Sequence, residues 1–235
     1  MTSIQIWPLL RTAAVTAGIL GGLAAPALAQ NWEASHQLRA GLFLQGGHTD
    51  FDGTLNGASQ SNSAGATGFG VTAGAELLRA RGWTFGLESD FGQTGAVNAT
   101  VVNARFSGDY FGSFRGRVGF HVMDNWVLYG TGGLGLRGLT ITDSSGGKGE
   151  KTLYGGVYGG GSEWHQGNTI FFVEYLHSQY QNADVAVNFA GIPPLIPASV
   201  TNYRAAISSD AIRLGVKFKL GFDNYTDDVP RGIRK

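Results

Sequence analysis

The chain has 235 residues, no cysteine, and 17 Lys+Arg against 17 Asp+Glu, which speaks against nucleic-acid partners, disulfides and thiolate chemistry. Charged residues make up 14% and aromatics 11%, and 38 glycines far exceed the usual share of about 7%. With a mean hydropathy of −0.03, this is no helical membrane protein; it suits a barrel wall whose strands alternate apolar and polar residues.

Residues 1–29 read as a secretory signal. Arg11 precedes an apolar run from Thr12 to Ala25, then Pro26 and the A-x-A site Ala27-Leu28-Ala29, with Gln30 opening the exported chain. A buried helix or membrane anchor is the bland alternative, but the run falls short of the roughly 20 residues a span needs. No cysteine follows to carry a lipid anchor.

Eight period-2 segments follow. In His36–Gly46, Leu38, Ala40, Leu42 and Leu44 oppose Arg39, Gly41, Phe43 and Gln45. In Gly68–Arg79, Phe69, Val71 and Ala73 oppose Gly70, Thr72 and Glu76. In Trp83–Gly92, Phe85, Leu87 and Phe91 oppose Glu88 and Asp90. In Asp109–Val122, Phe114, Val118 and Phe120 oppose Ser113, Arg115 and Arg117. Trp126–Gly138 sets Leu128, Leu134 and Leu136 against Tyr129 and Arg137. Thr152–Trp164 and Thr169–Tyr180 are less regular, with Glu163 and Glu174 on the polar face. Asp210–Leu220 sets Ile212, Leu214 and Phe218 against Arg213 and Lys217.

Connections at Ala80–Gly82, Met123–Asn125 and His165–Asn168 are short, while Gly47–Thr67, Gln93–Ser107, Leu139–Lys151 and Gln181–Ser209 are long and polar. That is the layout of an eight-stranded antiparallel transmembrane β-barrel with short periplasmic turns and long extracellular loops. Trp32, Trp83, Trp126 and Trp164 fall beside the first strand's start or a short turn, as a periplasmic aromatic girdle would. Pro193, Pro194, Pro197 and Pro230 avoid every strand. A soluble eight-stranded barrel is the rival reading. Glycines 112, 116, 130, 132, 156 and 160 on the apolar face argue against it, because water-facing strands would carry Lys, Glu or Thr there.

The stretch from Asp109-Tyr-Phe-Gly-Ser-Phe-Arg-Gly-Arg-Val-Gly-Phe through Asn125-Trp-Val-Leu-Tyr-Gly-Thr-Gly-Gly-Leu-Gly-Leu resembles the small porin-like outer-membrane β-barrel proteins of α-proteobacteria, a surface-antigen family. Phe171-Phe-Val-Glu-Tyr resembles that family's penultimate strand, and Ala211-Ile-Arg-Leu-Gly-Val-Lys-Phe its closing strand. The resemblance covers about residues 30–222. It implies a barrel in the cell outer membrane, delivery by the barrel-assembly machinery, contact with outer-membrane lipid and lipopolysaccharide, and roles in envelope integrity or surface interaction. Family members usually stop at a terminal Phe; here a charged segment, 223–235, continues and is expected to be a solvated periplasmic tail.

An interior just wide enough for side chains must match its charges. Arg39, Glu76, Glu88, Asp90, Arg115, Arg117, Glu163, Glu174, Arg213 and Lys217 are therefore expected to form an ion-pair plug. A small-solute or ion channel is the alternative. Gly130-Thr-Gly-Gly-Leu-Gly matches G-x-G-x-x-G but leads into β-like sequence, not the helix a dinucleotide needs. His177-Ser178 near Glu174 invites a lipid A-modifying hydrolase, yet adjacent strand residues face opposite ways. Asp50-Phe51-Asp52 reads as solvated loop, and His36, His48, His121, His165 and His177 lack metal-ligand spacing. The sequence thus points to a non-enzymatic monomer without cofactor or metal, whose loops face an unidentified extracellular partner.

Overall fold

The computed structural model describes residues 33–55, 58–101, 104–144, 146–189 and 199–220. The signal segment with Ala29 and Gln30, Trp32, and the tail 223–235 lie outside them. The described residues form β1 (Glu33–Leu55), β2 (Ala58–Ala80), β3 (Trp83–Val101), β4 (Ala104–Met123), β5 (Trp126–Asp143), β6 (Lys148–Gln166), β7 (Thr169–Tyr180), β8 (Ala183–Phe189) and β9 (Ser199–Leu220).

Every strand pairs antiparallel with its neighbour, and β1 closes onto β9 from Leu38↔Leu220 to Thr54↔Arg204. Closure leaves no sheet edge, which lipid demands because it offers the backbone no hydrogen-bond partner. The nine segments occupy eight wall positions. Along β9 the register passes from Gln179↔Ser208 on β7 to Ala183↔Ala205 on β8, with one extra residue on the β7–β8 side. β7 and β8 are therefore two halves of one wall strand, interrupted by a bulge.

At one end the turns are tight. Arg81 and Gly82 both take positive φ (47° and 86°), as a two-residue hairpin requires. The other end differs from the sequence reading. Most of what reads as long polar loop continues as paired strand: β1 and β2 run in register to Leu55↔Ala58, and β3 and β4 to Val101↔Ala104. Glycine, serine and asparagine dilute the alternation there, but pairing with an already ordered neighbour outweighs local propensity.

This produces two tiers of opposite polarity. In the lower tier, Leu42, Leu44, Phe69, Phe91, Leu134, Ile212 and Leu214 project outward at 54–73% exposure, values that water would punish but lipid covers. In the upper tier the outward residues include Asp52, Ser61, Arg105, Lys148, Glu150 and Arg204. Its interior is an apolar core of Phe51, Phe106, Leu139, Ile141, Leu153 and Ile207, among others. Phe51, expected in a solvated loop, is fully buried edge-on to Phe106, with ring centroids 6.2 Å apart.

Inside the lower tier the wall is tight. A Cβ on Gly159 would lie 1.9 Å from the Tyr175 carbonyl oxygen, and one on Gly133 2.1 Å from that of Phe114. On the lipid face a Cβ at Gly116 would meet nothing nearer than 3.8 Å. Gly159→Leu should therefore abolish the folded, heat-modifiable gel band, while Gly116→Leu should keep it. Phe106→Ala should weaken the upper tier by about 3–5 kcal/mol, read as a lower urea midpoint for protection of that tier from protease.

Candidate functional site: the charged lumen

Alternation along each strand turns the ten charged candidates inward, where each is less than 9% exposed. Around the ring they come as a base on β1, acids on β2 and β3, bases on β4, acids on β6 and β7, and bases on β9. β5 supplies Tyr129 and a further buried base, Arg137, at 3% exposure.

Arg115 reaches three carboxylates: Glu174 at 2.8 Å, Asp90 at 2.9 Å and Glu88 at 3.2 Å. Arg213 Nη1 lies 2.9 Å from Asp90, and Ser113 donates to the same carboxylate at 2.6 Å. Lys217 Nζ bridges Glu88 at 2.6 Å and Glu163 at 3.1 Å. Arg117 grips Glu163 in a fork, at 2.6 Å and 2.5 Å. Arg39 pairs with Glu76 and approaches Glu163 at 3.2 Å. Glu163 is thus a hub for Arg39, Arg117 and Lys217 on three separate strands, and His165 Nε2 lies 3.3 Å away. A forked guanidinium–carboxylate contact is stronger and more directional than a single bond.

Sequence reasoning left aromatic groups out of this constellation. The Arg117 guanidinium lies 3.7 Å above the Tyr129 ring centroid, and the Tyr129 hydroxyl donates to Glu174 at 3.2 Å. Phe43, Phe111 and Phe172 form a buried cluster within the lumen. Arg213 stacks over Phe43 at 4.5 Å and Lys217 over Phe172 at 4.4 Å. Cations over ring faces gain electrostatic attraction in a dry site. The signal was their inward parity beside charged residues.

Of the predicted girdle, Trp83 and Trp164 lie beside short turns at about half exposure, and Trp126 pairs across the ladder with Trp164. His177 and Ser178 do not meet. His177 faces outward, its Nδ1 2.9 Å from Asp210 Oδ1, and Asp210 also lies 3.3 Å from His48 Nε2. Ser178 takes the opposite face. The Gly130–Gly135 stretch lies within β5. Among the described residues no group of three or more acidic, histidine or cysteine side chains is arranged to hold a metal.

No family model matches the chain. A 22 kDa outer membrane protein of Rhizobium leguminosarum bv. viciae is 35% identical over 102 residues, 43% of this chain and 46% of that protein, so the match spans less than half the relative's length. Among solved structures, Ail of Yersinia pestis is 14% identical, covering 78% of this chain and 99% of that one, with a TM-score of 0.44. The N-terminal β-barrel domain of Pseudomonas aeruginosa OprF is 13% identical, covering 80% and 100%, with a TM-score of 0.41. Likeness at this level adds nothing to the strand order read from the chain itself. The closed sheet, the apolar belt that only lipid can cover and the Rhizobium match together identify the chain as a small β-barrel protein of the bacterial outer membrane, similar to that of an α-proteobacterium.

Proposed function

We propose that this barrel is a structural element of the envelope: an anchor with a sealed lumen, whose upper tier offers surface for extracellular contact. The carrying observation is the lumen. Ten of its buried charges pair with one another and tie seven wall strands together, and the apolar core of the upper tier lies further along the same interior. A cavity of about 20 Å³ beside Arg39 and Arg117 has room for about one water. Delivery by the barrel-assembly machinery, lipopolysaccharide along the belt, a partner at the upper rim and a monomeric state belong to this reading. So does a non-enzymatic role: the imidazole next to Ser178 in sequence, that of His177, lies on the opposite face of the strand.

The second reading, a small-solute or ion channel, draws on shared partners. Lys217 contacts both Glu88 and Glu163, and Arg117 lies 3.7 Å from Glu88 while gripping Glu163. An exchange between them would move the plug without stranding a charge. Planar-bilayer recording with purified protein separates the two. The sealed barrel predicts no steady single-channel openings; regular openings would establish the pore.

Glu163→Gln should cost about 3–5 kcal/mol, because it leaves Arg39, Arg117 and Lys217 short of their common carboxylate. The urea midpoint of the folded gel band in lipid vesicles reads this. Asp184→Asn, which breaks the exposed pair with Arg204, should leave that midpoint in place.

A further inference from the structure

The lipid-facing wall is not uniformly convex. Between β5, β6 and the top of β7 lies a cleft of about 530 Å³. Its floor is Gly156, where an added Cβ would meet nothing within 4 Å. Tyr154 and Tyr158 stand on either side at 62% and 58% exposure, roughly 13 Å apart along the strand. Leu134, paired across the ladder with Gly156, closes the third side at 73% exposure.

Depth decides what fills it. The cleft is continuous with the apolar belt, so its lower part faces acyl chains. Its upper rim carries exposed Gln179 and Gln181, at the bulge where the wall's outer face turns polar. Tyrosine rings favour this headgroup level. The two amides are neutral donors suited to phosphate or sugar oxygens. Of the acids described near this rim, Asp210 is engaged by His177, Tyr175 and His48, and Asp184, three residues past Gln181, pairs with Arg204 at 3.2 Å, so both present reduced charge to an anionic headgroup.

We propose that this cleft is a binding site for one acyl chain of a phosphorylated outer-leaflet glycolipid, with the headgroup held at Gln179 and Gln181. The proposal rests on the membrane placement of the belt and adds a specific site to it. A chain lying over Gly156 fills the outward space that a side chain such as Leu134 or Phe171 occupies elsewhere on the belt.

The test uses the full exported chain, folded in detergent, loaded separately with lipid A or phosphatidylethanolamine, then washed and analysed by native mass spectrometry. Wild type should retain one lipid A and little phosphatidylethanolamine. Gly156→Leu should weaken retention about tenfold, while Gly116→Leu, lipid-facing but outside the cleft, should retain lipid as wild type does. The heat-induced gel shift should persist in both. If Gly156→Leu loses that shift, the doubly substituted Gln179→Ala, Gln181→Ala chain takes its place, with the same weakening expected. Unchanged retention in the cleft variants, equal retention of phosphatidylethanolamine, or none by wild type overturns the site. Loss of the gel shift by wild type would instead overturn the barrel.

Discussion

Lipid offers nothing for a backbone amide to bond with, and the rest of this structure follows from that constraint. The sheet must close, and β1 meets β9 along most of their lengths. Eight wall positions give an interior about as wide as two facing side chains. An inward charge at the level of the belt is then strongly favoured to face its opposite across the lumen, since a buried unpaired ion costs several kcal/mol. Glu163, fully buried and touching bases from β1, β4 and β9, shows the consequence: through one carboxylate, β6 is joined to three wall strands with which it shares no ladder.

The same constraint explains where irregularity is tolerated. Beyond the bulge that separates β7 from β8, the pairing recorded between β6 and β8 is Lys148↔Asn188. Just below it, Gln181 N still donates to the Tyr154 carbonyl at 2.9 Å. In the opened stretch the Lys151 ammonium donates to the Asp184 carbonyl at 2.7 Å, standing in for a ladder bond. An incomplete ladder would be costly within the belt. It occurs where the outer face carries Lys148, Glu150 and Asp184, which water can reach.

The lower tier was legible in the sequence because both faces of each strand announce themselves. Leu38 and Leu42 against Arg39, or Phe114 and Val118 against Arg115 and Arg117, admit one orientation once lipid is assumed. The upper tier was not. Its inward Phe51, Leu139, Ile141 and Leu153 alternate as faithfully, but their outward neighbours are Asp50, Asp52, Thr140 and Thr152, the composition of solvated loop. Polarity reverses between the tiers while the backbone period does not, so a reading that follows greasy residues outward ends the strand too soon. β8 was hidden for a related reason: it is a short half-strand whose pairing partner is set by a bulge, which leaves no periodic trace. The aromatic members of the lumen, Tyr129 and Phe172, escaped because a ring on the polar face has no charge to mark it.

At each level the wall carries one polar face and one apolar face, and only their direction changes. Below, lipid takes the apolar face and ion pairs fill the lumen; above, water takes the polar face and the apolar residues pack inside. The reversal fixes the barrel's depth in the membrane. Sinking it would carry Asp52, Lys148 and Glu150 into hydrocarbon, and raising it would bring Leu44, Phe69 and Leu134 into water. It also keeps every described strand half polar, so none of them reads as an apolar spanning helix, even though the folded wall spans a membrane. An all-apolar lumen could fill the same interior volume, but strands apolar on both faces would lose the alternation that separates a barrel wall from a membrane helix. The paired charges are the form of inward packing that preserves it.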